Sequence, residues 1–231
     1  MEQIAIGAAI LPVLPALAAA TVPPCAKTSG GPRASYFPNV VLLDQDNAKA
    51  RFYDDLIRGK TVLINFFYTT CQGSCPLTTA NLLRVQTLLG DQLGRGVHMY
   101  SITLDPAHDT PAVLRQYARS HHIGAGWRLL TGAPADIETL RRKLGFVSPD
   151  PEEDKRRSSH LGVLRYGNEA VDRWAACPST ANPAEIVKYV SWLDPGTLRH
   201  DNGHAWSAPA SLRSAQSPGA APADTRRGKV E

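Results

Sequence analysis

A nearly unbroken apolar run, TVLINFFYT at residues 61–69, constrains the fold of this chain most. It is rich in β-branched and aromatic residues, a composition typical of a central strand that is buried on both faces of a sheet. Cys71 and Cys75 follow it directly, and Pro76 suits the first turn of a helix, because a proline there loses no hydrogen bond. The sequence therefore predicts a buried strand, a cysteine-bearing turn and a helix, in that order.

The chain around this unit alternates between strand and helix patterns. Further strands are predicted at residues 40–44, 50–53, 97–104, 127–131, 160–166 and 171–176, and helices at 76–93, 110–122, 133–146 and 182–193. Alternating strands and helices indicate an α/β fold. We expect a thioredoxin-like three-layer sandwich with an added N-terminal hairpin and a C-terminal hairpin plus helix.

The two ends of the chain differ from this middle part. Residues 1–24 are mostly apolar and contain an A-x-A pattern, so we expect a signal peptide or, as the alternative, a membrane anchor, although Glu2 stands where a basic residue is usual. Residues 25–35 are a polar linker, and 36–198 form the predicted domain. Residues 207–231 are rich in Ala, Pro and Ser and are predicted to be disordered.

Composition excludes several classes of protein. The 231 residues are 43% hydrophobic, which is enough for a core without cross-links, and four cysteines do not make a disulfide scaffold. The net charge of +4 is mild and comes partly from the C-terminal tail, so no nucleic-acid partner is expected. The cysteine pair is therefore interpreted as a functional site.

The spacing in CQGSC (71–75) allows three kinds of chemistry. A helix N-terminus stabilises an anion and lowers a thiol pKa, which favours a redox-active pair. Two thiolates with room for an imidazole also suit copper, since soft sulfur ligands favour Cu(I). A structural disulfide is the third interpretation, but closing so short a loop removes little chain entropy. Spacing alone does not decide among them.

A second motif, SITLDPAHDTP (101–111), ends another predicted strand. Strands that run parallel bring their carboxyl ends to one edge of a sheet, so Asp105 is expected at the same edge as Cys71. Asp105 and Asp109 are also residues that form Asx turns and helix caps. Both interpretations stay open for these two carboxylates.

These motifs together resemble the Sco/SenC family, thioredoxin-fold copper proteins that help assemble the copper centre of cytochrome c oxidase. The matching segments are GKTVLINFFYTTCQGSCP (59–76), SITLDPAHDTP (101–111) and the lone histidine within SSHLGVLRY (158–166). They occur in the family's order, and the match spans most of residues 37–193. The combination of C-x-x-x-C-P with D-P-x-x-D-T-P is more specific than either half.

The resemblance implies that Cys71, Cys75 and His160 ligate copper, as Cu(I) or Cu(II), with Asp105 as the acidic neighbour of the site. It also implies a metallochaperone that passes copper to the copper-binding subunit of cytochrome c oxidase. The expected location is the periplasm or the outer face of the cytoplasmic membrane. The chain departs from the family pattern in the residues QGS between the cysteines and in Leu161, neither of which touches a ligand position.

Other functions remain open at this stage. The same two sulfurs suit a thiol–disulfide oxidoreductase that reduces the cysteines of the oxidase subunit or of other exported proteins. A peroxiredoxin-like peroxidase is a third reading, but the chain lacks that family's proline before the threonine and cysteine. His121 and His122 are the next candidates for a third copper ligand. Cys25 and Cys177 have no counterpart in the family motif, and their pairing is open.

Overall fold

The chain is described here by a computed structural model that covers residues 30–160 and 162–193, apart from the side chain of His160. The predicted leader (1–24) and tail (207–231), together with Cys25, lie outside the described residues. The described part contains one seven-stranded mixed sheet with helices on both faces. It has the α/β architecture that the sequence predicts.

The sheet consists of seven strands in the spatial order β2-β1-β5-β4-β3-β6-β7. The strands are β1 (Val41–Asp44), β2 (Lys49–Arg51), β3 (Thr61–Phe67), β4 (Val97–Thr103), β5 (Trp127–Gly132), β6 (Val163–Asn168) and β7 (Arg173–Pro178). β3, β4 and β5 run parallel, while the hairpins β1–β2 and β6–β7 extend the two sides by antiparallel pairing. Every residue of β3 is buried, as expected of a strand covered on both faces.

Within the described residues, five α-helices connect or cover the strands. They are α1 (Ser74–Leu89), α2 (Pro111–Ser120), α3 (Pro134–Lys143), α4 (Pro151–Asp154) and α5 (Pro183–Leu193). α1, α2 and α3 begin near the prolines that predict them, and Asn182 caps α5 by accepting the Ala184 N–H at 2.9 Å. The four longer helices thus lie where the sequence predicts helices.

Alternation of side chains along β3 builds a core on each face of the sheet. Leu63 and Phe67 point to the face covered by α1, α2 and α5, in the same cluster as both cysteines. Val62, Ile64 and Phe66 point to the other face, which is covered by α3 and by a π-helical turn at Phe52–Ile57. The cysteines therefore lie at the end of the first core and not on a detached loop.

The second hairpin lies two residues further along the chain than predicted. β6 continues through Gly167 and Asn168, and the turn is formed by residues 169–172, with Asp172 at a positive φ of 51°. Glu169 is buried and accepts hydrogen bonds from the Tyr53 hydroxyl at 2.6 Å and the Gly59 N–H at 2.8 Å. These long-range bonds hold the start of the turn, and the local sequence pattern does not contain them.

The segment between α3 and β6 is also more structured than predicted. The charged stretch after Pro149 forms α4 and then a 3₁₀ turn at Arg157–His160, and the strand begins only at Val163.

No helix within the described ranges is both long and apolar enough to cross a bilayer.

Candidate metal centre

The two cysteines of the CQGSC turn lie at the carboxyl end of β3. Cys71 sits in the turn after the strand, where its N–H donates to the Tyr68 carbonyl at 3.2 Å, and Cys75 is in the first turn of α1. Both are nearly covered, with exposures of 8% and 3%. The buried strand and the helix start therefore fix both sulfurs at one edge of the sheet, as the sequence predicts.

Both cysteines are free thiols, and they are close enough for the Cys75 thiol to donate a hydrogen bond to Cys71. Burial opposes ionisation of Cys71, but hydrogen bonds from the Cys75 thiol, the backbone N–H groups of Cys75 and Gly73 and the Tyr68 hydroxyl outweigh it and lower its pKa. Burial and the hydrogen bond to Cys71 raise the pKa of Cys75 to about 12. Cys71 therefore ionises to a thiolate more readily than Cys75, which remains a protonated thiol at neutral pH.

Tyr68 is a site residue that the sequence analysis missed. Its hydroxyl donates to the Cys71 sulfur, and burial together with this bond raises the pKa of Tyr68, so the phenol keeps its proton at neutral pH. The positive charge of Arg157 opposes that shift of the Tyr68 pKa. Tyr68 directly follows the buried strand β3, so it lies at the carboxyl edge of the sheet. This position in the sequence is the signal that could have identified Tyr68 as a site residue.

Asp109 organises the turn that carries Cys71. Its carboxylate is fully buried and accepts the Thr69 N–H at 3.1 Å, and it also accepts the hydroxyl protons of Thr69 and Thr103. His108 Nδ1 lies 3.0 Å from the same carboxylate. The negative charge of Asp109 contributes to the raised pKa of Cys75, so this carboxylate lies within electrostatic reach of the pair. Asp109 is thus a structural neighbour of the site.

Asp105 lies at the same edge, after β4, and makes a different contact. One of its carboxylate oxygens forms an ion pair with Arg157 Nη1 at 2.8 Å. The cap of α2 is Thr110, whose side chain accepts the Val113 N–H at 3.4 Å, so the capping interpretation of the two aspartates does not hold for this helix. Asp105 connects the loop after β4 to the segment that ends at His160.

His160 ends the 3₁₀ turn Arg157–His160, and its side chain is outside the description. Its role as third ligand therefore remains a prediction. Within the described side chains, no group of three or more His, Cys, Asp or Glu residues is arranged to hold a metal ion. Of the three expected copper ligands, the structure therefore describes the side chains of two, Cys71 and Cys75.

Two further candidates lie around the core cluster that contains the cysteines, since Tyr117, on which His121 packs, and Cys177 both border it. The ring of His121 packs on Tyr117 with ring centres 4.2 Å apart, and Tyr117 in turn contacts Phe67 and hydrogen-bonds Thr79 at 2.9 Å. Cys177 is a partly buried free thiol in β7, and burial raises its pKa to about 11.

The chemistry open to the two buried thiols follows from their soft sulfur atoms and from the difference between their pKa values. Two soft thiolates at one edge of the sheet can bind one soft cation such as Cu(I), and a low-pKa thiol beside a protonated one can also exchange disulfides. A seven-stranded α/β sandwich with a cysteine pair at the start of its first long helix defines a thioredoxin-like thiol protein.

Comparison with known proteins identifies the family. The model of the SCO1/SenC family matches residues 35–192, most of the chain. This chain therefore belongs to the SCO1/SenC family, as its motifs predict.

Three relatives illustrate the match. A putative copper-binding protein of Stutzerimonas stutzeri is 30% identical over 58% of this chain and 64% of its own length, so the chain spans less than two thirds of that relative. The structure of Bradyrhizobium japonicum ScoI with copper bound has a TM-score of 0.52 at 22% identity, covering 66% of this chain and 96% of that one. BsSco, described as a Sco-family cytochrome c oxidase assembly protein with a disulfide switch, has a TM-score of 0.53 at 22% identity, covering 66% and 89%. The structural likenesses support the thioredoxin-like fold.

Proposed function

We propose that this protein is a copper metallochaperone that holds copper on Cys71 and Cys75, with His160 as third ligand, and delivers it to the copper-binding subunit of a cytochrome c oxidase. The observation that carries the proposal is the pair of nearly buried free thiols at the carboxyl edge of the sheet, in a chain of the SCO1/SenC family. Copper is the metal bound by the relatives whose descriptions name one. Copper is the cargo of this reaction.

The donor set suits copper in both oxidation states. Two thiolates satisfy Cu(I), which accepts low coordination numbers and prefers soft ligands, whereas an added imidazole suits Cu(II). Hydrogen bonds from Tyr68 and from the N–H groups of the turn stabilise negative charge on Cys71, so one ligand is ready to ionise. Binding of the cation supplies the charge that the second ionisation, at Cys75, requires.

Delivery proceeds by ligand exchange. Thiolates of the partner replace Cys71 and Cys75 one at a time, so copper is never released to water. We place this reaction in the periplasm or on the outer face of the cytoplasmic membrane, on the basis of the apolar N-terminal segment at residues 1–24.

A copper titration of the purified protein tests the proposal. The wild type is expected to bind one Cu(I) per chain in competition with a chromophoric chelator, and Cu(II) with a thiolate charge-transfer band. The Cys71→Ser/Cys75→Ser variant should lose tight binding, whereas Cys177→Ser, which removes a thiol remote in sequence from the pair, should keep it. One tightly held copper in the double variant would overturn the proposal.

The His160→Ala variant tests the third ligand separately. Cu(I) should survive on two sulfurs, but Cu(II) affinity should fall by orders of magnitude and its spectrum should change. An unchanged Cu(II) affinity and spectrum would assign the third ligand elsewhere, with His121 or His122 as the next candidates.

A thiol–disulfide oxidoreductase is the second candidate, and the opposite pKa shifts of the two cysteines favour it. The Cys71 thiolate would attack one sulfur of a target disulfide, forming a mixed disulfide and releasing the other sulfur as a thiolate that takes up a proton. Cys75 would then lose its proton and displace the target's remaining sulfur. The products are a Cys71–Cys75 disulfide and a reduced target, a balanced two-electron exchange.

Reduction of an oxidised dithiol peptide by the metal-free protein distinguishes this second function. Stoichiometric reduction that stops in Cys71→Ser, and leaves a trapped mixed disulfide in Cys75→Ser, would support it. Absence of reduction by a wild type that binds copper would leave metal delivery as the function.

A further inference from the structure

The surface segment that leads to His160 has little apolar packing. Among residues 150–159 none is buried, and only Asp154 is partly covered. A cavity of about 280 Å³ lies between this segment, α3 and the loop after β4. Since apolar contacts do not hold the segment, its position depends on polar anchors.

The first anchor lies at the start of the segment. Asp154 accepts hydrogen bonds from both terminal nitrogens of Arg141 at 2.8 Å, and from the Ser148 N–H at 2.9 Å. Arg141 is only 3% exposed, and Glu138 binds its remaining side at 2.8 Å. This two-pronged, largely buried ion pair fixes Asp154 to α3.

The second anchor lies three residues before His160. Arg157 Nη1 is 2.8 Å from an Asp105 oxygen, and the Asp105 side chain is only 15% exposed. The charge of Arg157 also reaches Tyr68, whose hydroxyl donates to Cys71. The second anchor therefore ties the segment to the edge of the sheet that carries the cysteines.

We infer that Arg157 is a positioning residue, which through its ion pair with Asp105 holds His160 within reach of Cys71 and Cys75. This inference rests on the proposed function, in which His160 completes the copper site. Asp105 then acts on the metal through Arg157 and not by direct contact. We call this ion pair between Asp105 and Arg157 the latch.

The exposure of the ion pair gives the size of the effect. The chain after His160 is already held, because the Gly162 carbonyl accepts the Ser179 N–H at 2.8 Å and β6 begins at Val163, so Arg157 fixes only the side before His160. Arg157 is 54% exposed, and exposed ion pairs contribute modestly, so the expected loss is about two- to fivefold.

The test compares Arg157→Gln and Asp105→Asn with Arg156→Gln. Arg156 is an exposed neighbour for which the described side chains contain no ion pair, so its variant matches the change in charge. Cu(II) affinity should fall about two- to fivefold in the first two variants and stay constant in the third, while Cu(I) affinity changes in none. In a His160→Ala background, Arg157→Gln should have no further effect, because the latch acts only through that histidine.

The outcomes separate the inference from the proposed function. Equal losses in Arg157→Gln and Arg156→Gln, or a loss that persists without His160, would overturn the latch while leaving copper binding intact. A wild type that binds no copper would overturn the proposed function. In that case amide hydrogen exchange decides on the latch, which predicts faster exchange at residues 157–160 in metal-free Arg157→Gln than in Arg156→Gln, and equal exchange would refute it.

Discussion

The buried carboxylate of Asp109 accepts the backbone N–H of Thr69 at 3.1 Å, across forty residues of sequence. This bond joins the loop after β4 to the turn after β3, two residues before Cys71. Backbone groups of a tight turn need such partners when they are removed from water. The geometry of the cysteine pair thus depends on a residue that never touches a sulfur.

Replacing Asp109 is expected to destabilise the fold. Asp109→Ala leaves the Thr69 N–H and two hydroxyl groups without their acceptor, at a cost of about 2–4 kcal/mol in the free energy of unfolding. Urea denaturation measures this cost. Asp91→Ala, which removes an exposed carboxylate, is the control and should lie within about 0.5 kcal/mol of wild type. Equal stabilities of the two variants would contradict the assigned role.

The opposite pKa shifts of the two cysteines predict selective alkylation. Because the pKa of Cys71 is lowered and that of Cys75 is raised to about 12, iodoacetamide at pH 7–8 should modify Cys71 first. Mass spectrometry of peptides from the metal-free protein measures the ratio. Cys177, with a pKa raised to about 11, is an internal reference and should react slowly. Faster modification of Cys75 than of Cys71 would reverse the assignment of the nucleophile.

His98 predicts a loss of stability in acid. Burial, with the charges of Lys60 and Arg128, lowers the pKa of His98 to about 4, against about 6.5 in an unfolded chain. The unfolded state therefore binds the extra proton between these values, and stability is lost as the pH falls from about 6.5 towards 4. Since His98 is only half-buried, solvent screening limits the loss to about 1–2 kcal/mol.

The comparison of wild type with His98→Gln isolates this titration. Melting temperatures between pH 7.5 and 4.5 should show the variant gaining on the wild type as the pH falls. A difference that does not change with pH would mean that His98 titrates normally in the folded protein.

Gly167 predicts a steric requirement in the second hairpin. A Cβ built there would lie 2.2 Å from the indole ring of Trp174 on the neighbouring strand, so Gly167→Ala must displace the ring. Such overpacking costs about 1–3 kcal/mol, measurable by thermal unfolding. Gly124→Ala is the matched control, because its Cβ would meet the Gln86 side chain at an ordinary 3.5 Å. Equal melting temperatures for both variants would show that Trp174 moves without cost.

Much of the fold is encoded in local patterns. The apolar run at 61–69, the prolines at helix starts and the alternation of strands and helices predict β3, α1 and the layer arrangement, since periodicity reports which faces are buried. The second hairpin is misplaced by two residues because Glu169 is held by Tyr53 and Gly59, which are more than a hundred residues away. A pattern that is read over neighbouring residues does not include contacts between residues so far apart in the chain.

The same division applies to the candidate site. That Cys71 and Cys75 follow a buried strand and begin a helix is readable from the residues alone, because burial and proline placement are local properties. The folded arrangement was needed to learn which sulfur has the lower pKa, that Tyr68 stabilises it, and that Asp105 pairs with Arg157 while Asp109 holds the turn. These outcomes depend on distances between segments that meet only when the sheet forms, and electrostatic and hydrogen-bond energies are set by those distances.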